Sequence, residues 1–395
     1  MRLFNSRLIL WGLCSFLIPP ISSVPVAEDL HPQDLQSLQI DQGKTHIPRS
    51  LSLNHSLERR DPIEPPRGIF KVGTEFRYKK GQHKYIIYSA CEDKKCKDRT
   101  CKQYATVILV RKINGGSQGQ IWDGQLSYFD SPNARPQSVA VKISPGGSAL
   151  DQSNIQKLVK SPYVLSYIER FYSRNGQESV ILMPKGDRNL LQALSQGWGR
   201  GSLAKSRRDH IVRAIFSIGS VLQVARRAHV VHRDIKPQNV LEIDGKFYVI
   251  DWDYALYIKP GAGVRDTTDA GSSKYMSPEV LASFTTPGGI SYNGFSSDVY
   301  SLTRTYLEAD QWDEMKEKDF SLALDSQLQK HQGGGLPGLS YESTDDALKK
   351  AFPERELSRE KRHLMARGLC RQEDRWKIAT WMEEFQRVEN VQVVN

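Results

Sequence analysis

The sequence predicts an α+β chain. β-branched, strand-like runs recur between residues 105 and 183, at Ala105–Val110, Val139–Lys142 and Ser179–Met183, and helical periods dominate beyond residue 189. A length of 395 residues leaves room for a two-lobed domain of about 250–300 residues plus extensions. The apolar fraction of 39% and charged fraction of 25% are ordinary for a globular protein, so a fibrous or wholly disordered chain is excluded. The formal charge of +10 favours acidic partners in general but is first a statement about solubility.

From the start, Arg2 and Arg7 flank an apolar run, Leu8 to Ile18, that Pro19-Pro20 ends. Such a run is too short to cross a bilayer, which takes about 20 residues, so residues 1–23 read as a secretory signal peptide, cleaved after Ser23 or Ala27. No membrane span is expected after cleavage. Residues 24–66 are rich in Pro, Ser, Gln and Asp without apolar period, as in a flexible pro-segment or linker. This stretch carries a glycosylation acceptor at Asn54-His55-Ser56 and a dibasic pair, Arg59-Arg60, similar to sites of processing proteases.

Residues 67–103 read as a basic N-terminal extension containing Cys91, Cys96 and Cys101. That spacing permits one disulfide but lacks the paired C-x2-C of zinc sites. The basic residues around Arg77, Lys84 and Lys94, interleaved with Tyr78, Tyr85 and Tyr88, read as a solvated face, so no specific nucleic-acid partner is expected.

The strand from Ala105 leads into Asn114-Gly115-Gly116-Ser117-Gln118-Gly119-Gln120-Ile121, a glycine-bearing hairpin. Gly116 and Gly119 would let the backbone approach phosphates without obstruction. Trp122 to Ser138, with two prolines, reads as an exposed connection to Val139-Ala140-Val141-Lys142. Ile155 and Leu158 mark a helix, and Ser179–Met183 a strand followed by the turn-like Pro184-Lys185-Gly186-Asp187. Ile211, Ile215, Ile218, Val221 and Leu222 share one face of a long helix ending before Val231-His232-Arg233-Asp234-Ile235-Lys236-Pro237-Gln238-Asn239. An apolar run, Lys246–Ile250, then closes on Asp251-Trp252-Asp253.

These motifs, in this order over roughly 280 residues from Ala105 to Arg387, resemble those of the eukaryotic protein kinases of serine/threonine type. The resemblance implies a bilobal fold: a small antiparallel β lobe with one helix, at about 104–183, and a larger mainly α lobe at about 184–387, followed by a tail at 388–395. It implies ATP and Mg2+, a protein substrate, and a division of labour among residues. Asp234 would accept or orient the substrate hydroxyl, Lys236 would neutralise the γ-phosphate, and Asn239 and Asp251 would hold magnesium. Lys142 would hold the α- and β-phosphates. Asn114, Gly116, Gly119, Ile121 and Ala140 would line the nucleotide, with Met183 to Lys185 along the adenine.

Departures from the family pattern are equally visible. Asn114 replaces the first glycine of the loop, Trp252 and Asp253 replace the last two residues of D-F-G, and no glutamate occurs between Lys142 and Tyr163. Asp151 or Gln152 stands where the helix glutamate belongs. Trp252 keeps an apolar anchor, and Asp253 reads as a change confined to the turn. Tyr254 to Pro278 matches the activation loop, with Thr267, Thr268 and Ser273 as candidate phosphosites and Ser272 as a contact to the catalytic loop. Asp298 would orient that loop, and Arg375 would pair with Glu279.

The expected activity is therefore transfer of the ATP γ-phosphate to Ser/Thr hydroxyls. The rival class is a pseudokinase, a nucleotide-binding or scaffold module. The leader adds a secreted location, resembling effector kinases of eukaryotic pathogens delivered into a host cell, with the secretory lumen as the other destination. The sequence leaves the oligomeric state open.

Overall fold

The computed structural model describes residues 71–77, 83–88, 103–116, 119–145, 155–173, 178–196, 203–264, 271–286, 288–312, 338–352, 354 and 356–391. The leader, the linker, the three cysteines at 91, 96 and 101, Asp151, Gln152, Thr267 and Thr268 lie outside these residues.

Seven strands form the small lobe: β1 Lys71–Arg77, β2 His83–Tyr88, β3 Gln103–Gly116, β4 Gly119–Tyr128, β5 Gln137–Pro145, β6 Glu169–Ser173 and β7 Glu178–Pro184. They close into a barrel in the order β1-β2-β3-β4-β5-β7-β6, in which β1 runs parallel to β6 and every other pairing is antiparallel. Period-two alternation explains the closure. Val139 and Val141 turn inward and are fully buried, whereas Ala140 and Lys142 occupy the opposite face.

The sheet begins well before residue 104, within the stretch that the sequence sets apart as an extension. Tyr85 and Ile87 enter the barrel core beside Ala105, Val107, Leu126 and Phe171, and Tyr85 meets Phe171 edge-on at 5.8 Å. Tyr85 thus belongs to the core and not to a solvated basic face; its hydroxyl donates to Glu178 at 3.1 Å. Strand β4 also continues to Tyr128, so the exposed connection shrinks to residues 129–136.

The large lobe is built on α1 Leu190–Ser195, α2 Leu203–Arg227, α3 Pro278–Thr285, α4 Gly294–Asp310, α5 Tyr341–Ala351, α6 Arg359–Leu369 and α7 Ile378–Glu389. Asn189 caps α1 in a reciprocal box with Gln192, and the Asn293 side chain accepts from the Ser296 amide to start α4. Ile211, Ile215, Ile218, Val221 and Leu222 do share the buried face of α2, packed in one core with Leu302, Tyr306, Leu307, Trp381 and Phe385. Burying such side chains stabilises by about 1.5–3 kcal/mol each.

Two small sheets, one of three strands and one of two, carry the polar machinery across the top of this core. β8 Arg188–Asn189, β10 Val240–Ile243 and β11 Lys246–Val249 form one sheet; β9 Val230–Val231 pairs with β12 Leu256–Tyr257. The segment after the helical turn at 155–158 is tied to this layer, because the Val249 amide donates to the Tyr163 carbonyl at 2.8 Å. The two lobes therefore meet beside the strand that delivers Asp251.

Candidate active site

The loop between β9 and β10 holds an unusual backbone. Arg233, a non-glycine residue, sits at φ 70°, in the left-handed region that favours glycine. Two charge-assisted bonds hold it there: Asp298 on α4 accepts the His232 amide at 2.8 Å through Oδ2 and the Arg233 amide at 2.9 Å through Oδ1. Burial pushes the Asp298 carboxyl up to about 6 against the pull of those amides.

His232 braces the loop from within. Its Nδ1 accepts the Asp234 amide at 3.3 Å, so the ring proton lies on Nε2, which donates to the Ile250 carbonyl at 3.2 Å. Burial lowers its pKa, in keeping with a neutral ring. The ring also packs on Trp252 with centroids 4.6 Å apart, so Trp252 is an apolar anchor at 2% exposure.

On this brace Asp234, Lys236 and Asn239 converge. Lys236 Nζ lies 2.7 Å from Asp234 Oδ2 and 2.7 Å from the Ser272 hydroxyl, joining the loop to the segment ahead of α3. Asn239 Nδ2 donates to the Asp234 carbonyl at 2.8 Å and to its Oδ2 at 3.0 Å. With Nδ2 so engaged, the amide Oδ1 is the atom available as a ligand. Asp234 Oδ1 has no hydrogen-bond partner among the described residues. Gly271, at φ 104°, passes so close to the loop that a Cβ would sit 2.5 Å from the Arg233 carbonyl.

Asp251 reaches the same place from β11. Its φ of 64° turns the chain back, and the Ile250 amide donates to the Asn239 carbonyl at 3.0 Å, fixing the two prospective metal ligands side by side. A half-exposed carboxylate beside an amide oxygen is an all-oxygen donor set of the kind magnesium prefers, so the residues fit that ion.

From the small lobe, Lys142 on β5 is 9% exposed and places Nζ 2.9 Å from Asp251 Oδ1. It also donates to Asp253 Oδ1. Burial opposes the Lys142 charge, but Asp251 and Asp253 outweigh it and hold the ammonium above its usual range. Two acids share one cation, and they divide accordingly. Burial opposes ionisation of Asp251, yet Lys142 prevails and keeps its pKa low, whereas burial and the Asp251 charge push Asp253 up to about 7. Asp253 is therefore more than a change in the turn. It does not adopt positive φ, so the turn needs no glycine there, and its carboxylate enters the site.

Strand register places the residues that the sequence reading expects beside a nucleotide. Ile121 pairs with Lys142, Asp123 with Ala140, and Ala140 with Met183, which sets these side chains on one face, opposite the barrel core. Asn114 pairs with Ile121 and Gly116 with Gly119 around the hairpin tip. Gly119 has φ 138°, and a Cβ there would lie 2.4 Å from the Ile143 carbonyl, so this position requires glycine. Met183 is the last residue but one of β7, and Lys185, just past the strand, reaches back to Asp123 at 2.7 Å, a clamp between the interlobe turn and β4. Sequence reasoning missed the Asp123 and Asp253 contacts, since both acids meet their lysines only across the fold; the sole local hint was an acid where the motif carries glycine.

A sequence profile described as "Protein kinase domain" matches residues 134–379. The chain is 37% identical over 201 residues to the mouse serine/threonine-protein kinase 32C, covering 49% of this chain and 38% of that one. It is 26% identical over 215 residues to the serine/threonine-protein kinase PknA of Mycobacterium tuberculosis, covering 51% and 46%. With Arabidopsis thaliana serine/threonine-protein kinase ATG1b, the identity is 24% over 177 residues, covering 43% and 24%. The matched regions thus span less than half of each relative's length. Since the profile covers more than half of the chain, and Lys142, Asp251 and the 232–239 loop stand together as the family pattern leads one to expect, the chain belongs to the protein kinase family.

Proposed function

We propose that the protein transfers the γ-phosphate of ATP to serine or threonine hydroxyls of protein substrates. The observation that carries this reading is the convergence of Lys236 and Asn239 on Asp234 beside Asp251. Asp234 would accept the hydrogen bond of the incoming hydroxyl and draw off its proton; Lys236, within reach of Asp234 and Ser272, would face the charge that develops on the moving phosphoryl group. Asn239 Oδ1 and Asp251 would hold magnesium, which when bound screens the phosphate charge. Lys142 would bind the α- and β-phosphates from above, and Ile121, Ala140 and Met183 would line the adenine.

The substrate class rests on Lys236 after H-R-D and on relatives named serine/threonine kinases. Purified protein with Mg-ATP and a basic protein substrate tests it: phosphoserine or phosphothreonine above an Asp234→Asn control is expected, and none above that control would overturn it.

A second reading, a nucleotide-binding or scaffold module, draws on one contact, since Lys142 occupies the metal ligand Asp251. ATP-dependent thermal stabilisation without turnover would favour it.

We also propose entry into the secretory route, from the leader over residues 1–23, with the kinase acting in the lumen or in a recipient cell. A tagged full chain recovered from the medium supports this, and exclusively cytosolic full-length protein contradicts it. No helix among the described residues is long and apolar enough to cross a membrane.

A further inference from the structure

We propose that Asp253 is the positioning residue for Lys142, a carboxylate moved from the usual helix to the turn behind the metal ligand. The inference rests on the kinase reading above and names how this chain holds its phosphate-binding lysine. Lys142 Nζ touches two acids, and they differ in exposure: the Asp251 side chain is 35% exposed to the cleft, the Asp253 side chain only 4%.

That difference assigns their tasks. Asp251 faces the side from which a divalent cation and phosphates arrive, and its charge is committed to the cation once one binds. Asp253 lies behind, in contact with Lys142 and turned away from solvent, so it remains to hold the ammonium when Asp251 is engaged. A carboxylate buried this deeply is unfavourable without a cation beside it, and Lys142 supplies one. The Tyr167 hydroxyl donates to Gln156, and, after burial, the Asp253 charge is among the causes that raise its pKa.

The composition of the neighbouring segment agrees with this placement. Between Lys142 and Tyr163 the chain has no glutamate, only the shorter Asp151, outside the described residues, while position 253, where the family pattern has a residue without a side chain, has an acid. The two departures offset each other. Gln156, the buried polar side chain of the helical turn at 155–158, is engaged elsewhere, donating to the Leu165 carbonyl at 2.7 Å.

A double-mutant cycle tests the proposal with Asp253→Asn, which preserves shape, and Asp253→Gly, which restores the family pattern, each alone and combined with Lys142→Met. Each single Asp253 variant is expected to lower kcat/KM at least tenfold, chiefly through KM for Mg-ATP, and to shrink the Mg-ATP-induced rise in Tm. In the Lys142→Met background, neither is expected to lower activity or the Tm shift further. Turnover in Asp253→Gly equal to or above that of the parent would overturn the proposal, as would losses that multiply in the double variants. The same cycle read on the melting of the nucleotide-free proteins reports the contact without catalysis. A parent that binds Mg-ATP without turnover would end the transfer reading, while the binding and melting cycles would still decide the place of Asp253.

Discussion

Arg375 and Glu279 form a two-pronged ion pair with both side chains fully buried: Nη1 lies 2.6 Å from Oε1 and Nη2 3.2 Å from Oε2. The same guanidinium donates to the Cys370 and Ser296 carbonyls, so the pair joins the turn after α6 to the starts of α3 and α4. Removing one partner strands the other charge without water. Arg375→Ala is therefore expected to destabilise the protein by about 3–5 kcal/mol in urea melts, and a loss under about 1 kcal/mol would contradict the structure.

Hairpin β1–β2 closes the small-lobe barrel, so its apolar residues should bear on stability although they precede the matched kinase region. Ile87, fully buried, is expected to cost about 2–5 kcal/mol when changed to Ala. A chain starting at residue 104 should show a lower Tm and a weaker Mg-ATP-induced shift. Unchanged melting of either protein would remove the hairpin from the fold.

Much of the site was legible because its chemistry sits in contiguous runs: the residues from His232 to Asn239 fall in one loop, and Lys142 follows a three-residue strand signature. The barrel closure was obscured, since Tyr85 and Ile87 alternate with Lys84 and Ile86 inside a stretch so rich in lysine that it reads as surface. Asp253 was obscured for another reason. Its partner Lys142 lies 111 residues away, and no local period reports a contact of that range. What residue 253 touches is a tertiary fact.

Acid sensitivity should centre on Glu389 at the end of α7. Burial alone would raise its pKa, but Lys361 at 2.9 Å, the Tyr306 hydroxyl and Arg208 at 2.8 Å prevail and hold it below the usual 4.5. A depressed carboxyl contributes stability that is full above its unfolded pKa and is lost as pH falls through the folded value. Tm of the parent should therefore fall below about pH 4.5. Glu389→Gln should melt lower at neutral pH and show a shallower fall in acid; parallel pH profiles for the two proteins would contradict this role.

The central claim is that Asp234, held by the Lys236 and Asn239 contacts on a loop fixed by Asp298, serves phosphoryl transfer. The most direct measurement is incorporation of phosphate from Mg-ATP into serine or threonine of a basic protein substrate, comparing the parent with Asp234→Asn after both are shown to melt alike. The account predicts transfer by the parent and a loss of at least about a hundredfold in the variant, the lower end of what a positioned proton acceptor contributes. Equal transfer by the two proteins, or none by the parent, would contradict it.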